Sequence, residues 1–195
     1  PQKDIYPEVL KAQNLGIEGV VVGNSMKTLH EDTIKSLSES MVNLGLVPLG
    51  VDETVSMMHF FEFFMHGTGH WLGLDVHDAG STEVDGQPRQ FKDGMVTTVE
   101  PGIYVRPTKP VIEFPLIERD PKKIRERRKL LGMEKATILE KEEISNAKTI
   151  KHEIPKELLG IGVRIEDDII CTNDGPVNMT EKAPKTIEEI EAITS

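Results

Sequence analysis

The hydrophobic pattern of the chain changes near Phe60, and this change limits the folds that the chain can adopt. Before that point, apolar residues recur at helical spacing in three stretches: 2–20, 26–44 (after a candidate N-cap at Ser25) and 52–58. After it come short runs typical of β-strands, separated by Gly, Pro, Asn and Asp: 63–66, 95–99, 103–105 and 162–172. Helices followed by strands with tight turns predict an α+β fold.

Residues 106–159 differ from both halves, because they are rich in charge and proline and poor in aromatic residues. We interpret them as an insertion between two strands, with helices at 121–131 and 138–147, and we predict a short amphipathic helix at 184–193. The insertion holds a basic cluster: Lys122, Lys123, Arg125, Arg127, Arg128 and Lys129. Glu126 interrupts this cluster and an acidic stretch follows, so the pattern favours a solvated helix face.

Charge and composition exclude several classes of protein. The net charge is −10, whereas a nucleic-acid-binding domain usually has a basic face, so we expect no nucleic-acid partner. No apolar run approaches the ~20 residues of a membrane span, so we expect no membrane segment. Cys171 is the single cysteine, which excludes an internal disulfide and favours a reducing, cytoplasmic location. Because the chain begins with Pro1 and not Met, we expect it to start inside a longer sequence.

Polar residues suited to metal binding or catalysis concentrate in the β-prone part of the chain. Residues 66–78 read HGTGHWLGLDVHD and contain three histidines, His66, His70 and His77. Imidazole is the commonest neutral metal ligand and a good general acid or base near neutral pH. A single histidine is more often structural, but three together among glycines favour a metal or catalytic site.

Two carboxylates complete the candidate set. Glu100 ends a β-prone run before a Pro-Gly turn, where it could face water or point inward. Arg164, Glu166 and Asp168 share one face of a strand whose other face is apolar. That face could carry an exposed ion pair, or Glu166 could bind a metal that Arg164 helps to orient. One imidazole with two carboxylates suits Mn²⁺, Fe²⁺, Co²⁺ or Zn²⁺.

These segments resemble the proline-specific branch of the pita-bread metallopeptidases, which includes aminopeptidase P and prolidase. The most specific feature is the run HGTGHWLGLDVHD, and VEPGIY and RIEDD follow it in the expected order. Trp71 favours aminopeptidase P over prolidase. The resemblance spans most of the chain apart from 106–159. It implies the C-terminal half of a pita-bread fold, with helices packed on a curved antiparallel sheet.

The resemblance also implies roles for single residues. In this family two Asp, one His and two Glu bind two metal ions, most often Mn²⁺. By motif position His70, Glu100 and Glu166 are metal ligands. Glu100 also takes the proton of the attacking water, and His66 and His77 line the substrate site and assist the chemistry. The polar residues that support the metal shell correspond to Tyr104 and Arg164.

The two Asp ligands of the family have no counterpart before His70, and the N-terminal domain and the first half of the catalytic domain are also lacking. We therefore expect residues 1–195 to be the C-terminal portion of a catalytic domain and to be inactive alone. A second polypeptide segment would carry the missing Asp ligands. We expect the complete protein to be a homo-oligomer that cleaves the bond between an N-terminal residue and a following proline.

Several alternatives stay open at the level of sequence. The nearest is an Xaa-Pro dipeptidase, which would share the fold and chemistry but recognise the free carboxylate of proline. A non-catalytic pita-bread module and a metal-free hydrolase similar to creatinase are disfavoured, because His70, Glu100 and Glu166 are all present. An acidic interaction domain would leave the three clustered motifs as coincidence.

Overall fold

A computed structural model describes residues 1–194, which contain six α-helices and nine short strands. The helices are α1 (Gln2–Glu18), α2 (Met26–Asn43), α3 (Val51–Ser56), α4 (Pro121–Leu131), α5 (Met133–Asn146) and α6 (Ile187–Thr194). The strands are β1 (Glu83–Val84), β2 (Gln87–Pro88), β3 (Val96–Val99), β4 (Gly102–Tyr104), β5 (Val111–Pro115), β6 (Thr149–Glu153), β7 (Gly162–Arg164), β8 (Asp167–Thr172) and β9 (Gly175–Asn178). All strand pairs are antiparallel: β1–β2, β3–β8, β8–β9, β4–β7 and β5–β6. The predicted α+β class is confirmed.

The first two helices begin and pack as their sequence patterns predict. Ser25 caps α2, because its side chain accepts a hydrogen bond from the Thr28 amide. The apolar faces of α1 and α2 enter one core together with aromatic and aliphatic residues of the strands. Helix α1 crosses β3 closely, since a Cβ at Gly16 would lie 2.7 Å from Val99 Cγ1. The glycine therefore brings α1 directly against the strand that leads to Glu100.

The strand predicted at 63–66 is wrong. Phe60, Phe63 and Phe64 are all buried, at the three- and four-residue spacing of a helix and not the alternation of a strand. Residues His59–Glu62 form a 3₁₀ turn, and the chain after Phe63 has no regular structure until β1. The run 162–172 is divided between β7 and β8, and α5 begins at Met133, earlier than 138.

The segment 106–159 is joined to the core and is not a detached appendage. Its strands β5 and β6 were not predicted. Ile112 and Phe114 of β5, and Ile154 directly after β6, lie in the same core as α1 and α2. The helices α4 and α5 form a hairpin at the tip of these strands. Three arginines of the basic cluster make ion pairs: Arg125 with Glu83, Arg127 with Glu143 at 2.7 Å and Arg128 with Glu140 at 2.9 Å.

A buried carboxylate fastens the C-terminal segment to the core. Asp167 is 1 % exposed and lies on the face of β8 that otherwise holds apolar side chains. It accepts hydrogen bonds from Nε2 of the Gln13 side chain and from Thr180 Oγ1, and Lys185 Nζ lies 2.9 Å from its Oδ1. A buried charge needs such partners, so this network links α1, β8 and the residues before α6.

None of the helices within residues 1–194 combines the length and the apolar character needed to cross a bilayer.

Candidate metal centre

Matching interruptions in two strand pairs bring the two glutamates together. β3 pairs with β8, and β4 pairs with β7. The chain leaves regular pairing at 100–101 between β3 and β4, and at 165–166 between β7 and β8. Because both strand pairs are antiparallel, these two breaks face each other. Glu100 and Glu166 therefore meet although 66 positions separate them in the sequence.

The histidine-rich segment lies along the free side of β3. The Thr98 amide donates to His70 O at 3.0 Å, and the Glu100 amide donates to Thr68 O at 2.7 Å. A Cβ at Gly69 would lie 1.9 Å from Thr98 O, so only glycine permits this approach. The backbone pairing places His70 beside Glu100.

His70, Glu100 and Glu166 form the one group of three or more metal-ligating side chains in residues 1–194. One donor atom from each lies within 4.8 Å of the others. His70 Nε2 lies 3.4 Å from Glu100 Oε1. Glu100 is buried, whereas Glu166 is exposed, so the group opens to solvent on one side. Two carboxylates and an imidazole are the donor set that first-row divalent metal ions accept.

The side-chain hydrogen bond of His70 leaves its Nε2 lone pair free for a metal ion. Its Nδ1 lies 3.0 Å from the carbonyl oxygen of Trp71. A carbonyl can only accept, so Nδ1 carries the proton of the neutral ring and Nε2 keeps its lone pair. That lone pair is on the side of Glu100, and a backbone carbonyl fixing the second ring nitrogen is common among metal-binding histidines. The residues present therefore fit a divalent metal ion.

Arg164 stands between the two carboxylates. Its Nη1 lies 3.4 Å from Glu100 Oε2, and its Nε lies 3.8 Å from Glu166 Oε2. Its positive charge offsets the repulsion between two carboxylates that share one site. Each glutamate uses a single oxygen, Oε2, for this contact, so Arg164 does not engage its Oε1.

His66 and Tyr104 form a second hydrogen-bonded unit beside the carboxylates. His66 Nδ1 lies 2.8 Å from Gly67 O, and its Nε2 lies 2.8 Å from Tyr104 Oη. By the same reasoning as for His70, Nδ1 carries the proton of neutral His66, so Tyr104 donates to Nε2. Burial raises the pKa of Tyr104; Arg164 opposes this rise and Glu100 adds to it. The phenol is therefore protonated at neutral pH and able to donate.

His77 lies on the exposed loop that follows Trp71. Its ring stands edge-on to the ring of His70, with 4.4 Å between centroids. Direct contacts therefore join five of the residues selected from the sequence, His77, His70, Glu100, Arg164 and Glu166, and a separate hydrogen bond joins the other two, His66 and Tyr104.

Two further residues of this region were missed by sequence reasoning. Thr98 bonds to both His70 and Glu100, and Asp167 directly follows Glu166. A signal for Thr98 was available, because it lies two residues before Glu100 and so on the same face of a strand. For Asp167 the signal was a charged residue on an otherwise apolar face.

The family model for metallopeptidase family M24 matches residues 1–173. The chain is 37% identical to an Xaa-Pro aminopeptidase of Haemophilus influenzae over 191 residues, which are 98% of the chain and 34% of the relative. It is 32% identical to an Xaa-Pro aminopeptidase of Escherichia coli over 194 residues, which are 98% of the chain and 34% of that relative. The chain thus spans about a third of the length of the curated relatives it matches.

Solved structures give the same result. The aminopeptidase PepP of Pseudomonas aeruginosa superposes with a TM-score of 0.74 at 33% identity, over 99% of the chain and 34% of that structure. Aminopeptidase P of E. coli, solved with the inhibitor Pro-Leu, gives 0.72 at 32% identity, over 98% of the chain and 34% of that structure. The pita-bread fold is therefore confirmed. On the family match and these likenesses, the chain belongs to metallopeptidase family M24.

Proposed function

We propose that the complete protein is a metal-dependent Xaa-Pro aminopeptidase, to which this chain contributes three metal ligands. The observation that carries the proposal is the grouping of His70, Glu100 and Glu166 within 4.8 Å, in a chain whose relatives are Xaa-Pro aminopeptidases. The relatives' names support the choice over a dipeptidase. We further propose that the site binds two Mn²⁺ ions. Their remaining carboxylate ligands would come from another segment of the protein.

The bound ions would polarise the scissile carbonyl and lower the pKa of the attacking water. Glu100 would bind metal and would also accept the proton of that water. Its Oε2 faces Arg164 and its Oε1 faces His70, so the carboxylate is held from both sides. Arg164 would keep Glu100 and Glu166 oriented throughout the reaction.

The leaving nitrogen of proline belongs to a tertiary amide and leaves well only after it gains a proton. We propose that His77 supplies this proton or stabilises the developing oxyanion. His66 Nε2 already accepts from Tyr104, so neutral His66 has no proton to give at that atom. His66 would instead bind and orient the substrate with its ring held by Tyr104.

The test uses the complete protein, loaded with Mn²⁺, with tripeptides that have proline or alanine in second place and with the dipeptide Xaa-Pro. We expect release of the first residue from the proline peptide only, and loss of activity after chelation. Glu100→Gln should lower kcat by at least ~10³-fold, while the matched exposed variant Glu113→Gln should not change it. A wild-type enzyme that cleaves only the dipeptide Xaa-Pro would establish the dipeptidase alternative. Activity that survives chelation would overturn the proposal.

Assembly and location belong to the same proposal. We propose that the complete protein is a cytoplasmic homo-oligomer with peptide substrates, which size measurement on the purified enzyme and fractionation of the source cell would test.

A further inference from the structure

Thr98 is a buried residue of β3 whose hydroxyl contacts two of the candidate metal ligands at once. It is 2 % exposed. Its Oγ1 lies 3.0 Å from the backbone nitrogen of His70 and 3.1 Å from Glu100 Oε1. No other side-chain hydroxyl in residues 1–194 forms hydrogen bonds with two members of the ligand group.

The direction of both hydrogen bonds follows from the groups involved. The His70 amide can only donate, so the Thr98 oxygen accepts there. The single hydroxyl proton is then free for Glu100 Oε1, which accepts as a carboxylate oxygen. Oε1 is also the oxygen that lies 3.4 Å from His70 Nε2, so it is the one nearest the imidazole lone pair.

The backbone strengthens this linkage. The Thr98 amide donates to His70 O, so Thr98 binds both polar backbone atoms of His70. A register shift between the histidine segment and β3 would therefore break two hydrogen bonds of one residue. Because β-branched side chains have restricted χ1 angles, the hydroxyl is held where it reaches both partners.

We propose that Thr98 is a positioning residue that fixes the separation and orientation of His70 and Glu100 for metal binding. This inference depends on the proposed function, in that a metal ion must bind there. Groups that orient metal ligands typically change metal affinity by ~10–100-fold when they are removed.

The experiment measures Mn²⁺ affinity of the metal-free complete protein by paramagnetic resonance of the unbound ion. Thr98→Val keeps the shape and removes the hydroxyl, and we expect its Kd for Mn²⁺ to rise ~10–100-fold. Thr98→Ser restores the hydroxyl and should bind within about threefold of wild type. The matched control is Thr33→Val. Thr33 carries another fully buried hydroxyl, whose Oγ1 donates to Leu29 O on α2 and bonds to none of the candidate metal ligands.

A merely structural role predicts that Thr98→Val and Thr33→Val lower the melting temperature alike and leave Mn²⁺ affinity unchanged. Wild-type affinity in Thr98→Val would overturn the inference, and so would an equal loss in Thr98→Ser. If Thr98→Val does not fold, Thr98→Ala takes its place: a ~10–100-fold rise in Kd beside retained affinity in Thr98→Ser supports the hydroxyl role, and wild-type affinity in folded Thr98→Ala overturns it. A wild-type protein that binds no Mn²⁺ would overturn the proposed function itself, which is a separate outcome.

Discussion

At the scale of single residues, the closest backbone approach in the site is at Gly69. A Cβ there would lie 1.9 Å from Thr98 O, whereas a Cβ at Gly67 would meet its nearest atom at 3.5 Å. We expect Gly69→Ala to push the histidine segment from β3 at a cost of ~1–3 kcal/mol or more, with weaker metal binding. Gly67→Ala is the control and should change stability by no more than ~1 kcal/mol. Thermal unfolding and Mn²⁺ titration check both; equal effects would contradict the packing argument.

A second residue-scale prediction concerns His59, which is buried beneath Phe114 with its Nε2 2.8 Å from Pro115 O. Burial lowers the pKa of His59, and the hydrogen bond to Pro115 partly opposes this. The unfolded chain therefore takes up a proton at a higher pH than the folded one. The contribution of neutral His59 to the free energy of unfolding is fully present above the ordinary histidine pKa. It is lost as the pH falls below that value, at up to ~1.4 kcal/mol per pH unit.

The measurement is the free energy of unfolding at pH 7.5 and pH 5.0. His59→Gln keeps an N–H for Pro115 O but does not titrate, so its loss of stability between the two values should be smaller than that of wild type. An unchanged pH slope in His59→Gln would show that His59 does not contribute.

The sequence predicts which residue types meet, but not the contacts that hold them. Polar residues that interrupt β-prone runs marked the three histidines, Glu100 and Glu166 as candidates, and motif position in the family resemblance then selected His70, Glu100 and Glu166 as ligands. The burial of Asp167 could not, because it depends on Lys185 and Gln13 reaching it from distant parts of the chain. Local pattern carries no information about such partners.

At the scale of elements, helices α1 to α4 were predictable from periodicity and caps, since each has an apolar stripe or a recognisable start. Strands β5 and β6 were not, because their exposed faces carry Glu113, Lys151 and Glu153 within a charged segment. Their alternation, with Ile112 and Phe114 buried, becomes visible only against the core that they cover.

This architecture predicts that the two parts of 106–159 differ in their importance for folding. Helices α4 and α5 bury no large apolar side chain, and Arg125–Glu83 is an exposed ion pair worth no more than ~1 kcal/mol. Replacing 121–146 by a short Gly-Ser linker should therefore change stability by only ~1–2 kcal/mol. Deleting 108–156 also removes Ile112, Phe114 and Ile154 from the core, at ~1.5–3 kcal/mol each, and should unfold the protein.

The check is urea unfolding of the complete protein with either change, followed by circular dichroism. It compares the loss of stability caused by the two changes. Equal destabilisation by the two deletions would place α4 and α5 within the cooperative core.

At the scale of the whole molecule, the site as built by residues 1–194 has three donors, with no Asp among the grouped ligands. A pair of ions needs carboxylates that bridge them, and affinity for hard cations rises with the number of charged ligands. We therefore expect the polypeptide 1–195 alone to bind Mn²⁺ at least ~10-fold more weakly than the complete protein and to show no peptidase activity. Calorimetric titration with Mn²⁺ compares the two proteins. The Glu166→Gln variant of each is the control that shows whether the ion binds at this site. If the two proteins bind equally tightly and both lose affinity in Glu166→Gln, then His70, Glu100 and Glu166 suffice, and no ligand from another segment is required.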